Sequence, residues 1–371
     1  MSEIWNKISM AGIILALLLL VAACSPSPSE EHDQNVMPDR TGSWSQINQT
    51  IERGSDWQQI VTDSQFQLGE RSVKGYWYTG EDGTETEDYY EVVYGSYPCI
   101  DGSTVAVPMA VEFARQHLNL SDEDAAGFVV FSTTHYAYEN LIASNPVGGG
   151  MIYSTTTFLE EEHLVDLIIA TAPSEDELAL AEEHGVELII EPVCYDAFVF
   201  ITHKDNPVDS LSLNQIRGIY SGEITNWSQV GGEDKLIEAY QREPNSGSQT
   251  AMEQLVMQGQ PMLDPPLVEV ITGMGALLEA VAEYQNDTTS IGYTYQYYID
   301  TLYRDENIKT LRIDGVAAAP DTLRSLQYPL TTCYYGVIRA GDEDNNGGKF
   351  LDWMRTEAGQ RCIAQAGYVT L

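Results

Sequence analysis

Three stretches of the chain gather glycine and hydroxyl-bearing residues where an apolar run gives way to a helix-like pattern. The first is Asp101-Gly102-Ser103-Thr104, followed by Pro108 in what would be the opening turn of a helix. Proline suits that position, because the N–H it lacks would be unpaired anyway. The second is Ser132-Thr133-Thr134-His135, directly after the apolar run 127–131. The third is Arg242-Glu243-Pro244-Asn245-Ser246-Gly247-Ser248-Gln249-Thr250. Ser246 and Gln249 have the S-x-x-Q spacing of a capping box, and Met252, Leu255 and Val256 continue as an apolar helical face. Such a junction presents free backbone N–H groups and the positive end of a helix dipole, and both suit an anion. Hydroxyl side chains add donors, and Arg242 offers a planar fork matched to two oxygens of an oxyanion. One Ser- or Thr-capped helix is ordinary structure. Three junctions in one chain, one with an arginine four residues ahead of its cap, point to an oxyanion site.

The elements that must position these loops read as alternating strands and helices. Strand-like runs occur at 128–131, 167–170, 186–190, 197–201 and 337–339, and amphipathic helical runs at 108–118, 175–184, 249–258, 275–284 and 348–366. Strand-then-helix alternation predicts an α/β architecture with largely parallel sheets, and the length of 371 residues suits two lobes better than one sheet. His135 sits in a candidate ligand loop, where an ordinary loop histidine and an anion donor are both admissible. The six histidines make no metal-ligand pattern. There is no G-x-S-x-G elbow, H-E-x-x-H motif or P-loop, so nothing in the spacing proposes an enzyme. No metal or organic cofactor is expected.

Composition narrows the partners. Acidic residues number 56 against 18 basic, a formal charge of −38, which argues against electrostatic binding to nucleic acid or to an anionic membrane surface. Residues 1–23 have the layout of an export signal, with Lys7 ahead of a short apolar run at 11–21. That run is too short for a comfortable membrane span. Val21-Ala22-Ala23-Cys24 resembles the lipobox of bacterial lipoproteins, in which the cysteine is lipidated, and the following Ser25-Pro26-Ser27-Pro28 fits a solvated tether. Residues 24–90 read as lipidated tether plus an accessory segment. Cys99, Cys194, Cys333 and Cys362 remain, with no C-x-x-C pair, so disulfides or buried thiols are both open. Cys194 and Cys333 each precede a short apolar stretch, which suggests neighbouring strands and a pairing between them. Among the 22 tyrosines, Tyr293, Tyr295 and Tyr297 alternate as on one face of a strand; stacking on sugar rings is the other use such residues could have.

Several segments together are similar to phosphate-binding lipoproteins that serve ABC importers. Asp196-Ala197-Phe198-Val199-Phe200-Ile201 followed by Lys204-Asp205-Asn206-Pro207 carries the resemblance. So do Gln215-Ile216-Arg217-Gly218-Ile219-Tyr220-Ser221-Gly222-Glu223-Ile224-Thr225-Asn226-Trp227, the Arg242 loop, Asp101-Gly102-Ser103-Thr104 and Ile291-Gly292-Tyr293. The resemblance covers about residues 92–371. It implies a two-lobed periplasmic-binding-protein fold of type II, with two crossover strands forming a hinge. Lobe I would comprise 91–195 and 290–371, and lobe II 196–289. It further implies that Ser103, Thr104, Thr134, Arg242, Ser246, Gly247 and Ser248 hold inorganic phosphate. Members of the family place a carboxylate after the strand at 166–170, where this chain has Thr171. A hydroxyl both donates and accepts, so it excludes sulfate-like anions less strongly. The implied protein is a monomer, lipid-anchored through Cys24 outside the cytoplasm, that delivers phosphate to an ABC permease without a chemical step. A binder of another tetrahedral oxyanion, a phosphate sensor and a surface adhesin are the competing assignments.

Overall fold

The computed structural model describes residues 52–68, 76–79, 85–88, 95–148, 151–152, 157–158, 162–263, 281 and 288–371. All of them fall in one unit, Asn48–Leu371. The signal, lipobox and tether lie outside the described residues.

The first junction follows β1 (Ile100–Gly102) and leads into α1 (Val107–Leu118), which has Pro108 in its first turn as expected. Next come α2 (Asp122–Phe128), α3 (Thr134–Ala143), β2 (Leu167–Ala170) and α4 (Glu175–His184). A long strand, β3 (Leu188–His203), is followed by α5 (Leu213–Tyr220), β4 (Glu238–Ala239) and α6 (Gly247–Ala251). α6 widens into a π-helical stretch, Met252–Met257. The chain closes with β5 (Ser290–Tyr295), β6 (Ile308–Thr310), β7 (Thr331–Arg339), α7 (Asn346–Met354) and α8 (Glu357–Gln365).

Seven strands form one sheet in the order β4-β5-β3-β7-β2-β1, with β6 added to β3. Within this sheet, among the described residues, only β4 with β5 and β1 with β2 are parallel; β3 runs against β5, β6 and β7. The sheet is therefore mixed, not largely parallel. The cause is β3, which fuses two expected strands into one of 16 residues. Residues 188–197 of β3 pair with β7, and residues 198–202 pair with β5. One strand thus belongs to both ends of the sheet. Its register against β7 shifts between Tyr334 and Tyr335, beside Pro192, which has no N–H to give the ladder.

Other boundaries moved for local reasons. The run 128–131 is not a strand: Ser121 caps α2 by accepting from the Asp124 N–H, and three acids in the first turn suit the dipole, so the helix reaches Phe128. Val129 and Phe131 are buried nonetheless. The span 348–366 is two helices, because Thr356 caps α8 by accepting from Gly359 N–H. The helix expected at 275–284 lies outside the described residues except for Val281. Cys194 and Cys333 do sit on neighbouring strands, yet they are not paired. Cys194 is opposite Tyr334 and Cys333 opposite Tyr195, so alternation sends their thiols to opposite faces. Cys99, Cys194, Cys333 and Cys362 are all free thiols.

Helices α3 and α4 cover one face of β2 and β7, burying Tyr138, Leu141, Ile142 and Ala181 against Val165, Ile168 and Val337. Residues 52–68 lie along α1. The Gln116 side-chain oxygen accepts from Ile60 and Val61 N–H at 2.7 and 3.0 Å, and the Trp57 indole donates to Glu112. Phe66 packs edge-on against Phe350 at 4.8 Å and is buried. Phe66→Ala is expected to cost about 3 kcal/mol in urea unfolding, as for a buried phenylalanine. A loss below about 0.5 kcal/mol, the surface range, would show that this segment only rests on the domain.

Where β3, the end of β5 and β7 converge, a buried carboxylate joins them. Asp196 accepts from Ala197 N–H at 2.7 Å, Tyr297 N–H at 3.2 Å and the Tyr334 hydroxyl at 2.6 Å. Burial pushes its pKa up to about 7, against the lowering effect of those three donors. The folded state therefore keeps this proton to higher pH than the unfolded chain does. Stability from this group is present at low pH and is lost as pH rises from about 4 to about 7. Urea titrations across that window should show a smaller fall for Asp196→Asn than for the unaltered protein; equal falls would contradict the assignment.

Candidate functional site

The two loops at the end of β1 and before α3 are tied together from beneath. Asp101 is 1% exposed, and its carboxylate accepts from Gly102 N–H and Ser132 N–H at 2.7 Å each and from the Asn140 amide at 3.1 Å. Burial pushes its pKa up, while these donors pull it down. Gly102 has no room for a side chain: a Cβ there would lie 2.3 Å from the Ile169 carbonyl oxygen. Ser103 N–H donates to that same carbonyl at 3.0 Å, which sets Ser103 and Thr104 beside the end of β2. Ser103 is buried and Thr104 half-buried.

Thr133, just before α3, adopts φ +84°, a strained value for a β-branched residue. Its side chain makes no capping bond, and its carbonyl accepts the helix's first bond from Ala137 N–H. Thr134 therefore opens α3, with the N–H groups of that turn facing outward. His135 is occupied elsewhere, with Nδ1 3.0 Å from Glu177 and Nε2 3.4 Å from Glu139.

The third loop meets this arrangement through Gly247. A Cβ on Gly247 would lie 2.4 Å from Thr171 Oγ1 and 3.0 Å from Thr134 Oγ1. Residues from three separate loops thus converge on one point. Thr171 Oγ1 and Ser248 Oγ are buried and make no hydrogen bond with the protein. The Tyr295 phenol lies near Thr171, but it donates to the Gly247 carbonyl at 2.8 Å. Asn245, with φ +61°, donates to Asp176 at 2.9 Å, and the Gln254 amide donates to the Pro173 carbonyl at 2.9 Å. These bonds sew the Arg242 loop and α6 to the segment that follows β2.

Arg242 is 6% exposed, and burial lowers its pKa while the Glu243 carboxylate, 3.4 Å from Nη2, raises it. A guanidinium stays charged in proteins, so this is a buried cation in the loop that leads to Gly247. The capping box is only half formed. Ser246 Oγ accepts from Gln249 N–H at 3.3 Å and donates to the Glu243 carbonyl at 3.0 Å, so that hydroxyl is engaged on both sides. The Gln249 side chain turns instead to Arg242 N–H at 3.2 Å.

The three acids close to Thr171 in sequence have separate fates. Asp166 accepts from Cys99 N–H at 2.8 Å at the far end of β2, Asp176 takes Asn245, and Glu175 is exposed. Sequence reasoning missed Asp101, Tyr138, Tyr293 and Tyr295 as supports. Only the alternation of tyrosines on one strand face hinted at the last two. Among the described residues no group of His, Cys, Asp and Glu is placed to hold a metal ion, and no helix is long and apolar enough to cross a membrane.

The model of the PBP superfamily domain matches residues 153–357, more than half of the chain. The chain belongs to the PBP superfamily. Two similar proteins are the phosphate-binding protein PstS of Borreliella burgdorferi, 25% identical over 47% of this chain, and that of Bacillus subtilis, 25% identical over 51%. The chain spans only 63% and 60% of the length of these curated relatives. A solved structure described as a phosphate ABC transporter substrate-binding protein of Clostridium perfringens, with bound phosphate, aligns at TM-score 0.53 and 24% identity. That alignment covers 73% of this chain and 98% of the other. An ABC-type phosphate transport receptor of Vibrio cholerae aligns at TM-score 0.51 and 20% identity, over 73% and 99%. This PBP-superfamily chain shares their fold, and its three loops cluster at one end of the shared sheet.

Asp101→Ala would leave two buried N–H groups without a partner and is expected to cost about 3 kcal/mol. Denaturant unfolding checks this, and a change near zero would mean that the loops are held apart from Asp101.

Proposed function

We propose that this protein is an extracytoplasmic solute-binding lipoprotein that captures inorganic phosphate in a cleft and delivers it to an ABC permease. The observation that carries this is the meeting of Thr134, Thr171 and Gly247, with buried, unbonded hydroxyls on Thr171 and Ser248. Burying a hydroxyl without a partner costs about 1–3 kcal/mol, and an oxyanion in the site would supply the missing acceptor. Ser103, Thr104 and Arg242 would complete the donor set, with the backbone at Gly247 and Ser248 presenting N–H groups at the start of α6, whereas the Ser246 N–H is taken by the Glu243 carbonyl at 3.3 Å. The similar proteins named for phosphate binding favour this ligand over other oxyanions.

In this proposal the chain divides into lobe I, 91–195 and 290–371, and lobe II, 196–289, joined through β3 and the end of β5. Binding is reversible, with closure of one lobe on the other and no chemical step. Export by residues 1–23, lipidation at Cys24 and a monomeric state belong to the same proposal and rest on the lipobox-like sequence and the family resemblance. Thr171 favours one extension: with a hydroxyl where the family resemblance implies an acid, sulfate should compete more than it does in a site with a carboxylate.

Calorimetric titration of protein lacking residues 1–24, stripped of ligand by partial unfolding, tests the assignment. One phosphate should bind per chain, and Arg242→Ala should weaken binding about 100-fold through loss of a charge-assisted pair of bonds. Thr171→Asp should reduce the response to sulfate more than the response to phosphate. Folded, ligand-free protein that takes up neither anion would sink the assignment.

A further inference from the structure

Strand β5 carries buried tyrosines at 293 and 295, and both phenols end on the Arg242 loop. Tyr293 Oη accepts from Arg242 N–H at 3.0 Å and donates to the Gln249 side-chain oxygen. Tyr295 Oη donates to the Gly247 carbonyl at 2.8 Å. Residues two apart on a strand project from the same face, roughly 7 Å from each other. These two therefore reach the loop at its beginning and at its end. Their rings are fixed in turn by aromatic neighbours. Tyr293 lies 5.6 Å from both Phe198 and Tyr220, and Tyr295 lies 5.7 Å from both Phe198 and Tyr334.

Phenylalanine would fill either ring position as well, so what the hydroxyls add is the bond to the loop. In a trans peptide the C=O and the following N–H point in opposite directions. Holding the Gly247 carbonyl from behind therefore turns the Ser248 N–H toward the open end of α6, where Thr134 and Thr171 stand. Holding Arg242 N–H fixes the backbone from which the guanidinium extends.

We propose that Tyr293 and Tyr295 are positioning residues for the anion site, pinning the two ends of the Arg242–Ser248 loop without touching the ligand. This deepens the phosphate proposal and rests on it for its binding readout. The test compares Tyr293→Phe and Tyr295→Phe with Tyr328→Phe. Tyr328 is an equally buried tyrosine whose hydroxyl donates to the Phe198 carbonyl at 3.0 Å, outside the loop. Inorganic phosphate is titrated calorimetrically, and amide hydrogen exchange of residues 242–250 is followed without phosphate. The two loop variants should each bind phosphate about 10-fold more weakly, the loss of one hydrogen bond's worth of ordering. They should also exchange faster over 242–250, while Tyr328→Phe changes neither readout despite a similar loss in unfolding midpoint. Equal weakening by Tyr328→Phe, or unaltered binding and exchange in both loop variants, overturns the proposal. If the unaltered protein takes up no phosphate, the phosphate assignment falls by itself and exchange decides this one. Faster loop exchange confined to the two variants upholds it, and unchanged exchange overturns it.

Discussion

Everything at the site depends on how closely the start of one helix approaches the end of one strand. The Gly247 backbone is so near Thr171 and Thr134 that one added carbon would sit 2.4 and 3.0 Å from their hydroxyl oxygens. Any side chain at 247 would force the loops apart. Its absence lets backbone N–H groups at the start of α6 stand among hydroxyls from two other loops, which no longer donor could do as compactly. The Asn245 bond to Asp176 and the Gln254 bond to Pro173 hold that approach on either side.

This arrangement is maintained against local cost. Thr133 and Asn245 both take positive φ, at about 1–3 kcal/mol for a residue held in a sparsely populated region. Arg242 is buried, and the hydroxyls of Thr171 and Ser248 lack protein acceptors. Such features persist only where the surroundings over-determine them. Here the determinants are the Asp101 carboxylate under two loops, the Tyr138 hydroxyl donating to the Thr171 carbonyl at 2.8 Å, and the mixed sheet behind. Of these features, Thr133, Asn245 and the unpaired hydroxyls of Thr171 and Ser248 fall where the loops meet, while positive φ also occurs at Asn119, Ser144 and Leu326 and unpaired hydroxyls at Thr289, Ser290 and Thr294.

Much of this was legible in the sequence, and what was not has identifiable causes. Hydroxyl-rich junctions with a proline or an S-x-x-Q spacing mark helix starts through local chemistry, so α1 and α6 were readable and the three loops could be named. The apolar run 167–170 appeared as β2 without change. The fusion of 186–190 and 197–201 into β3 was hidden, because Pro192 and the intervening polar residues look like a break. Sheet partners bridge them through a register shift instead. Strand direction was likewise beyond a periodicity argument, since it depends on which distant segments pair. The supports failed to show for a related reason. Asp101 and Tyr295 act through backbone groups 31 and 48 residues away, and no local spacing encodes such a contact.

A chain of formal charge −38 proposed to cradle an anion looks contradictory until the nearby acids are followed individually. Asp101 faces three hydrogen-bond donors, Glu177 accepts from Ser174 N–H and meets His135, Asp176 holds Asn245, and Glu243 lies beside Arg242. Each is turned toward a partner, so its field is partly compensated where it stands. Acids farther off are screened over about 8 Å in physiological salt. Donors in direct contact act at about 3 Å in a low-dielectric pocket, where a fixed dipole or cation outweighs the distant field. The acidic surface should therefore slow the arrival of an anion more than it loosens one already enclosed. In the proposed function composition would set the encounter, and a few oriented N–H, O–H and guanidinium groups would set the grip.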